Sequence, residues 1–190
     1  MVISQVFARD YIILDACCII NLYASQRMKD ILEVIPKGIS VAAYVKDYEA
    51  LRIYAGPIDN VQESIETINL QPFIDDELLF VADIENEVEE NFYINLATRL
   101  DDGEAITSAI AMSRDWIIAT DDSATLKLLQ KESPNIALIS TLELVKHWVD
   151  TKKPVKEIVY KTLTNIKVRG RYEPSRNHPL VEWWKRYRKV

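Results

Sequence analysis

Tyr11-Ile12-Ile13-Leu14-Asp15 and Trp116-Ile117-Ile118-Ala119-Thr120-Asp121-Asp122 decide the fold. Each is a short apolar run closed by aspartate. A strand buried on both faces reads this way, without the in–out alternation of a half-exposed strand. Ile39-Ser40-Val41-Ala42 and Ile136-Ala137-Leu138-Ile139 repeat the pattern. Helical spacing fills the intervals. Ile19, Ile20, Leu22 and Tyr23 suit one inner face, and Met28, Ile31, Leu32 and Ile35 another, stopped by Pro36-Lys37-Gly38. Further helices are expected over 43–53, 103–113, 124–131 and 141–149. Strands alternating with helices form βαβ units, so the expected class is α/β, with a central parallel sheet flanked by helices in three layers.

Outward from that frame the signals change. Gly56-Pro57 breaks the chain, and 58–100 reads as mostly helical with a short extended piece at 70–73. Glu85, Glu87, Glu89 and Glu90 read there as a solvated helix face. Residues 154–168 suit one more helix, 169–179 a polar loop, and 180–190 a basic, aromatic tail. The expected organisation is a domain over 1–150 followed by a basic helical extension over 151–190.

Charge divides the same way. The net charge of -6 is +9 over 151–190 (12 Lys and Arg against 3 acids) and -15 over 1–150. A basic tail of this kind meets a polyanion or neutralises its own acidic body. Its Trp183, Trp184, Lys185, Arg186 and Arg188 interleave aromatics with cations, which suits single-stranded nucleic acid. The same pattern suits an amphipathic helix docked on the body, since adjacent tryptophans favour burial.

The chain contains no apolar run of 18 residues, so no membrane span is expected. Its first ten residues lack the pattern of a signal peptide. Cys17 and Cys18, neighbours in sequence, form neither a disulfide framework nor a zinc quartet and read as packing residues. A cytoplasmic, reducing location is the expectation. His147, among Leu144, Val145 and Trp148, reads as an ordinary helix position.

The chemistry lies in the acids. A charged residue directly after a buried parallel strand lands at the carboxyl edge of the sheet, where α/β folds collect ligands. Asp15 and Asp121-Asp122 occupy such positions. Glu104 opens a helix after Asp101-Asp102-Gly103, and Glu49 lies on the helix after the second strand. Taken singly each has an ordinary reading: Asp15, Asp101, Asp102 and Asp122 as helix caps, Glu104 as a favourable first-turn charge, Glu49 as an exposed helix residue. Taken together, crowded carboxylates call for a cation or shared protons. Mg²⁺ suits oxygen ligands and assists phosphodiester hydrolysis.

These stretches resemble the PIN-domain family, VapC-like toxin ribonucleases in particular. Ile12-Ile13-Leu14-Asp15-Ala16-Cys17-Cys18-Ile19-Ile20-Asn21-Leu22 resembles the opening strand, aspartate and helix, with Cys17 where the family commonly carries Ser or Thr. Val45-Lys46-Asp47-Tyr48-Glu49 resembles the second motif. Leu100-Asp101-Asp102-Gly103-Glu104-Ala105 resembles the acidic-Gly-Glu-Ala variant of the third, and Ala119-Thr120-Asp121-Asp122 the fourth. The likeness covers about residues 8–150, with the four motifs in order. It implies a Mg²⁺- or Mn²⁺-dependent endoribonuclease cutting single-stranded RNA, often the toxin of a toxin–antitoxin pair. Catalytic residues would be Asp15, Glu49, Glu104 and one or both of Asp121 and Asp122. Metal ligands would be Asp15, Glu104, Asp121 and Asp122. Implied partners are RNA, a protein antitoxin and a second copy of the chain.

Two other functions compete. One keeps the fold but drops catalysis, leaving an RNA- or protein-binding module. The other is a phosphotransferase with Asp15 as nucleophile, which needs a second acid two residues on, where Cys17 stands.

Overall fold

The computed structural model describes residues 9–50, 52–54 and 65–188. A five-stranded parallel sheet forms its centre, in the order β5-β2-β1-β6-β7. The strands are β1 (Tyr11–Leu14), β2 (Gly38–Ala42), β5 (Phe80–Ala82), β6 (Ile117–Ala119) and β7 (Leu138–Ile139). β1 lies between β2 and β6, pairing Leu14 with Val41 on one side and with Ala119 on the other. Its Ile12, Ile13 and Leu14 have no exposed surface, because helices cover both faces.

On one face α1 (Ala16–Ala24) packs against α2 (Met28–Leu32), α7 (Thr141–Lys152) and α8 (Lys156–Arg169). On the other, α5 (Asp102–Arg114) lies on β1, β2 and β6, with α4 (Glu87–Leu96) beside it. Leu128 of α6 (Ser123–Glu132) joins this second group, packing against the small cluster of Leu96, Leu100, Ala105 and Ala109. The three-layer α/β arrangement read from the sequence is therefore the observed one. Among the described residues, no helix is long and apolar enough to cross a membrane.

The region between β2 and α5 departs most from expectation. The helix expected over 43–53 is a π-helical turn, Val45–Glu49, closed by Ala50 N–H donating to Val45 O at 2.8 Å. Strand β3 (Arg52–Tyr54) follows and pairs antiparallel with β4 (Ile65–Thr67). Part of the helix expected over 58–100 falls outside the described residues. The rest is β4, α3 (Gln71–Asp75), β5 and α4. The extended piece expected at 70–73 is instead the start of α3, where Pro72 suits the first turn because its fixed φ is already helical. β5 was missed because three residues at a sheet edge, with Phe80 and Val81 exposed, carry no continuous buried run.

Glu89 also corrects the reading of a solvated acidic face. It is fully buried, accepting hydrogen bonds from Arg114 Nε at 2.7 Å, Arg114 Nη2 at 2.9 Å and Glu85 N–H at 2.8 Å. The neighbouring Glu85, Glu87 and Glu90 are exposed, as expected.

The basic extension joins the core. Val159, Leu163 and Ile166 of α8 and Trp184 of α9 (Val181–Arg188) belong to the cluster that contains β1. Trp184 is 2% exposed, set edge-on to Tyr172 with ring centroids 6.1 Å apart. It is therefore not available to stack on a base, which corrects its assignment to nucleic-acid binding. Trp183 is half-buried against Tyr187, while Lys185 and Arg186 remain exposed.

Candidate functional site

Four helices begin at the carboxyl edge of the sheet, and each N-terminus holds an acid. Asp15, directly after β1, accepts from Ala16 N–H at 2.8 Å and caps α1. Its other oxygen accepts from Thr120 Oγ1 at 2.8 Å and Cys17 Sγ at 3.2 Å. β6 lies beside β1, so Thr120 reaches Asp15 across one strand spacing. Asp101 caps α5 by accepting from Glu104 N–H at 2.9 Å. Asp122 caps α6 by accepting from Ala124 and Thr125 N–H at 2.7 and 2.8 Å. Asp121 accepts from Thr141 N–H at 3.1 Å, at the start of α7. The unpaired N–H groups and positive dipole end of each helix partly offset the carboxylates gathered there.

Glu49 reaches the same edge from the π-helical turn. Its Oε1 accepts from Gly103 N–H at 2.9 Å. The approach requires glycine, since a Cβ at 103 would lie 1.8 Å from Glu49 Oε2. Gly103 thus seats one acid on the helix that carries the next.

The acids feel one another. Asp15 is 3% exposed; burial raises its pKa, the Thr120, Cys17 and Ala16 hydrogen bonds pull it back, and Asp101 raises it further. Burial also raises Glu49, with added repulsion from Asp101, Asp15 and Asp102. Glu104 is pushed furthest, to about 7, first by burial and then by Asp101, Asp122 and Asp15. Thr125 opposes the shift, and its buried hydroxyl forms no hydrogen bond of ordinary geometry. Among the described residues, no lysine or arginine forms an ion pair with Asp15, Glu49, Asp101, Glu104 or Asp122.

Of the residues singled out from sequence, Asp15, Glu49, Glu104 and Asp122 come together around this mutual repulsion. Asp121 faces elsewhere. Its carboxylate, raised by burial, is ringed by Asn21 Nδ2 at 3.0 Å, Thr141 N and Oγ1, Tyr172 Oη at 3.3 Å and Cys18 Sγ at 3.8 Å. From sequence alone Asp101 is only a helix cap, yet in the fold it acts on Asp15, Glu49 and Glu104 alike. Its place in the Asp101-Asp102-Gly103-Glu104 run was the one available signal.

The donor set suits a hard cation. Asp15, Glu49, Asp101, Glu104 and Asp122 offer oxygen, and the buried hydroxyl of Thr125 lies against Glu104 without a bond of its own. Their oxygens do not form a closed cage. Among the described residues only Cys17, Cys18 and Asp121 bring three ligand atoms within 4.8 Å of one another. Widely set carboxylates match an ion that keeps several waters, whereas the thiols of that second group suit softer metals. No family model and no curated protein matches the chain.

Proposed function

We propose that this chain is a Mg²⁺- or Mn²⁺-dependent endoribonuclease that hydrolyses single-stranded RNA, acting as a toxin of a toxin–antitoxin pair or as a relative of one. One observation carries the reading: several acids converge on one sheet edge with no ion pair to a lysine or arginine among the described residues, and burial, with their repulsion added, raises Glu104 to about 7. Carboxylates that repel one another are matched by a divalent cation in their midst. When bound, such an ion neutralises phosphate charge and makes water more acidic.

The chain's own residues divide the remaining work. Asp15, held by Ala16 N–H, Thr120 and Cys17, has one fixed orientation for a ligand. Glu49 is oriented by Gly103 N–H. Glu104, raised to about 7 in the metal-free chain, is the acid whose ionisation a bound cation would favour most, and once ionised it would serve as the base that takes a proton from an attacking water. Asp101 and Asp122 tune it through space while capping their helices.

The test is cleavage of single-stranded RNA by purified protein with Mg²⁺ or Mn²⁺, against Asp15→Asn and an EDTA control. Metal-dependent cutting lost in the variant supports the reading. Metal binding without cutting of any RNA, or no metal binding at all, favours the non-catalytic binding module. Co-purification with a small co-expressed protein that suppresses cleavage tests the antitoxin partnership.

A further inference from the structure

Beside the acids stands an aromatic group to which the reaction assigns nothing. Tyr48, the residue before Glu49, is 68% exposed. Single exposed aromatics are ordinary on protein surfaces. Tyr48 differs because its ring is backed: it lies against Tyr44, with centroids 5.1 Å apart and planes tilted by 40°. Tyr44 in turn is anchored. Its hydroxyl donates to Asp102 Oδ2 at 3.3 Å, and Tyr93 donates to Asp102 Oδ1 at 3.0 Å. Tyr93, on α4, is half-buried and packs against both apolar clusters. Asp102, on the first turn of α5, sits between the cap Asp101 and the seat of Glu49 at Gly103.

The result is a tilted pair of rings in contact, tied to the helix that carries Glu104, with its outer ring in solvent. Both rings arise in and just before the π-helical turn, a distortion that recurs at functional sites. That turn places Tyr48 in the open and Glu49 at the site within one step of the chain.

We infer that Tyr48, backed by Tyr44, is the stacking platform for an unpaired nucleobase next to the phosphodiester whose hydrolysis the acids promote. This rests on the ribonuclease reading. Aromatic faces accept any base, so the platform favours single strands over duplex without a sequence code. The surrounding charge points the same way. Asp102 is the charge held against the rings, and Asp47 is paired with Lys46, so what Tyr48 itself offers to RNA is an aromatic face for a base. Holding the rings in place before RNA arrives lowers the ordering cost of binding.

The experiment measures binding and turnover separately. A short fluorescent single-stranded oligoribonucleotide is titrated in Ca²⁺ against wild type, Tyr48→Ala and Tyr48→Trp, beside a matched oligomer carrying abasic positions. Circular dichroism establishes that each variant is folded. Tyr48→Ala should weaken binding about tenfold, within the range of one base–aromatic stack. Tyr48→Trp should restore it, and the abasic oligomer should bind all three proteins alike. In Mg²⁺, the loss in Tyr48→Ala should fall on KM. Equal affinity of wild type and Tyr48→Ala, an equal loss for the abasic oligomer, or no RNA binding by wild type would each overturn the platform. Base-dependent binding lost in Tyr48→Ala, in a protein that never cleaves RNA, would keep the platform and overturn the nuclease.

Discussion

At the scale of single residues, Glu104 and Gly103 make the sharpest claims. The Glu104 carboxyl sits at about 7 in the folded chain, against an ordinary value of 4.5. A raised acid favours its neutral form, so without metal the folded state binds more protons than the unfolded chain between these values. The stability that Glu104 contributes in EDTA should therefore be fully present below about pH 4.5 and be lost as pH rises through about 7. The shifts of Asp15 and Glu49 carry the same sign. Thermal melts across that window check this, and Glu104→Gln should flatten the decline. Divalent metal competes with the same proton, so Mg²⁺ affinity measured by calorimetry should increase with pH up to about 7. Gly103→Ala tests positioning. Its new Cβ would displace the Glu49 carboxylate, while alanine suits a helix slightly better than glycine. Cleavage should fall about a hundredfold, a loss typical of an ångström-scale misplacement. The melting temperature should barely move.

At the scale of elements, the recurring device is a helix N-terminus against an acid, used by α1, α5, α6 and α7. It lets capping and candidate chemistry share side chains, so an acid removed from the site also weakens a helix start, by about 1 kcal/mol. Asparagine substitutions keep most of that cap and are the cleaner probes. The α4–α5 contact depends on the buried Glu89–Arg114 pair, in which Arg114 also donates to Asp83 O at 2.6 Å. Arg114→Met would strand a carboxylate without surface access. The cost should be about 3 kcal/mol, at the lower end for a buried pair because the Arg114 side chain keeps 17% exposure. Arg114 holds Glu89 below the usual carboxylate range. The stability this pair contributes is present above pH 4.5 and fades as pH falls through the lowered value, a trend opposite to that from Glu104. Urea denaturation of wild type and Arg114→Met at neutral and acid pH separates the two.

At the scale of the whole molecule, the basic extension closes the acidic body. α8 lies on α1, and Tyr172 Oη donates to Asp121 across the face where α7 begins. Burial and the adjacent carboxylate keep the Tyr172 hydroxyl protonated well beyond its ordinary range, so it stays a donor at any physiological pH. Trp184→Ala should cost about 3–5 kcal/mol, the usual loss for a large aromatic removed from a packed core. Guanidinium unfolding followed by tryptophan fluorescence measures it. A loss below 1 kcal/mol would mean that α9 is a separable tail rather than part of the core.

By itself the sequence determined the layered α/β class and the carboxyl-edge positions of Asp15 and Asp122. Continuous apolar runs such as Ile12-Ile13-Leu14 leave a strand no choice but burial on both faces. Short elements such as β5, the π-helical turn and α3 were not legible, because three to five residues carry too little periodicity to outvote their surroundings. Charge patterning could not separate Glu89 from its exposed neighbours, since its partner Arg114 is 25 residues away. Nor could it separate Trp184 from a tail that meets nucleic acid. Only the tertiary structure decided those burials, turned Asp121 towards Thr141 and Tyr172, and brought Asp101 into the field of the other acids. Each depends on contacts between chain-distant elements, and the energy of such contacts exists only once the layers have packed.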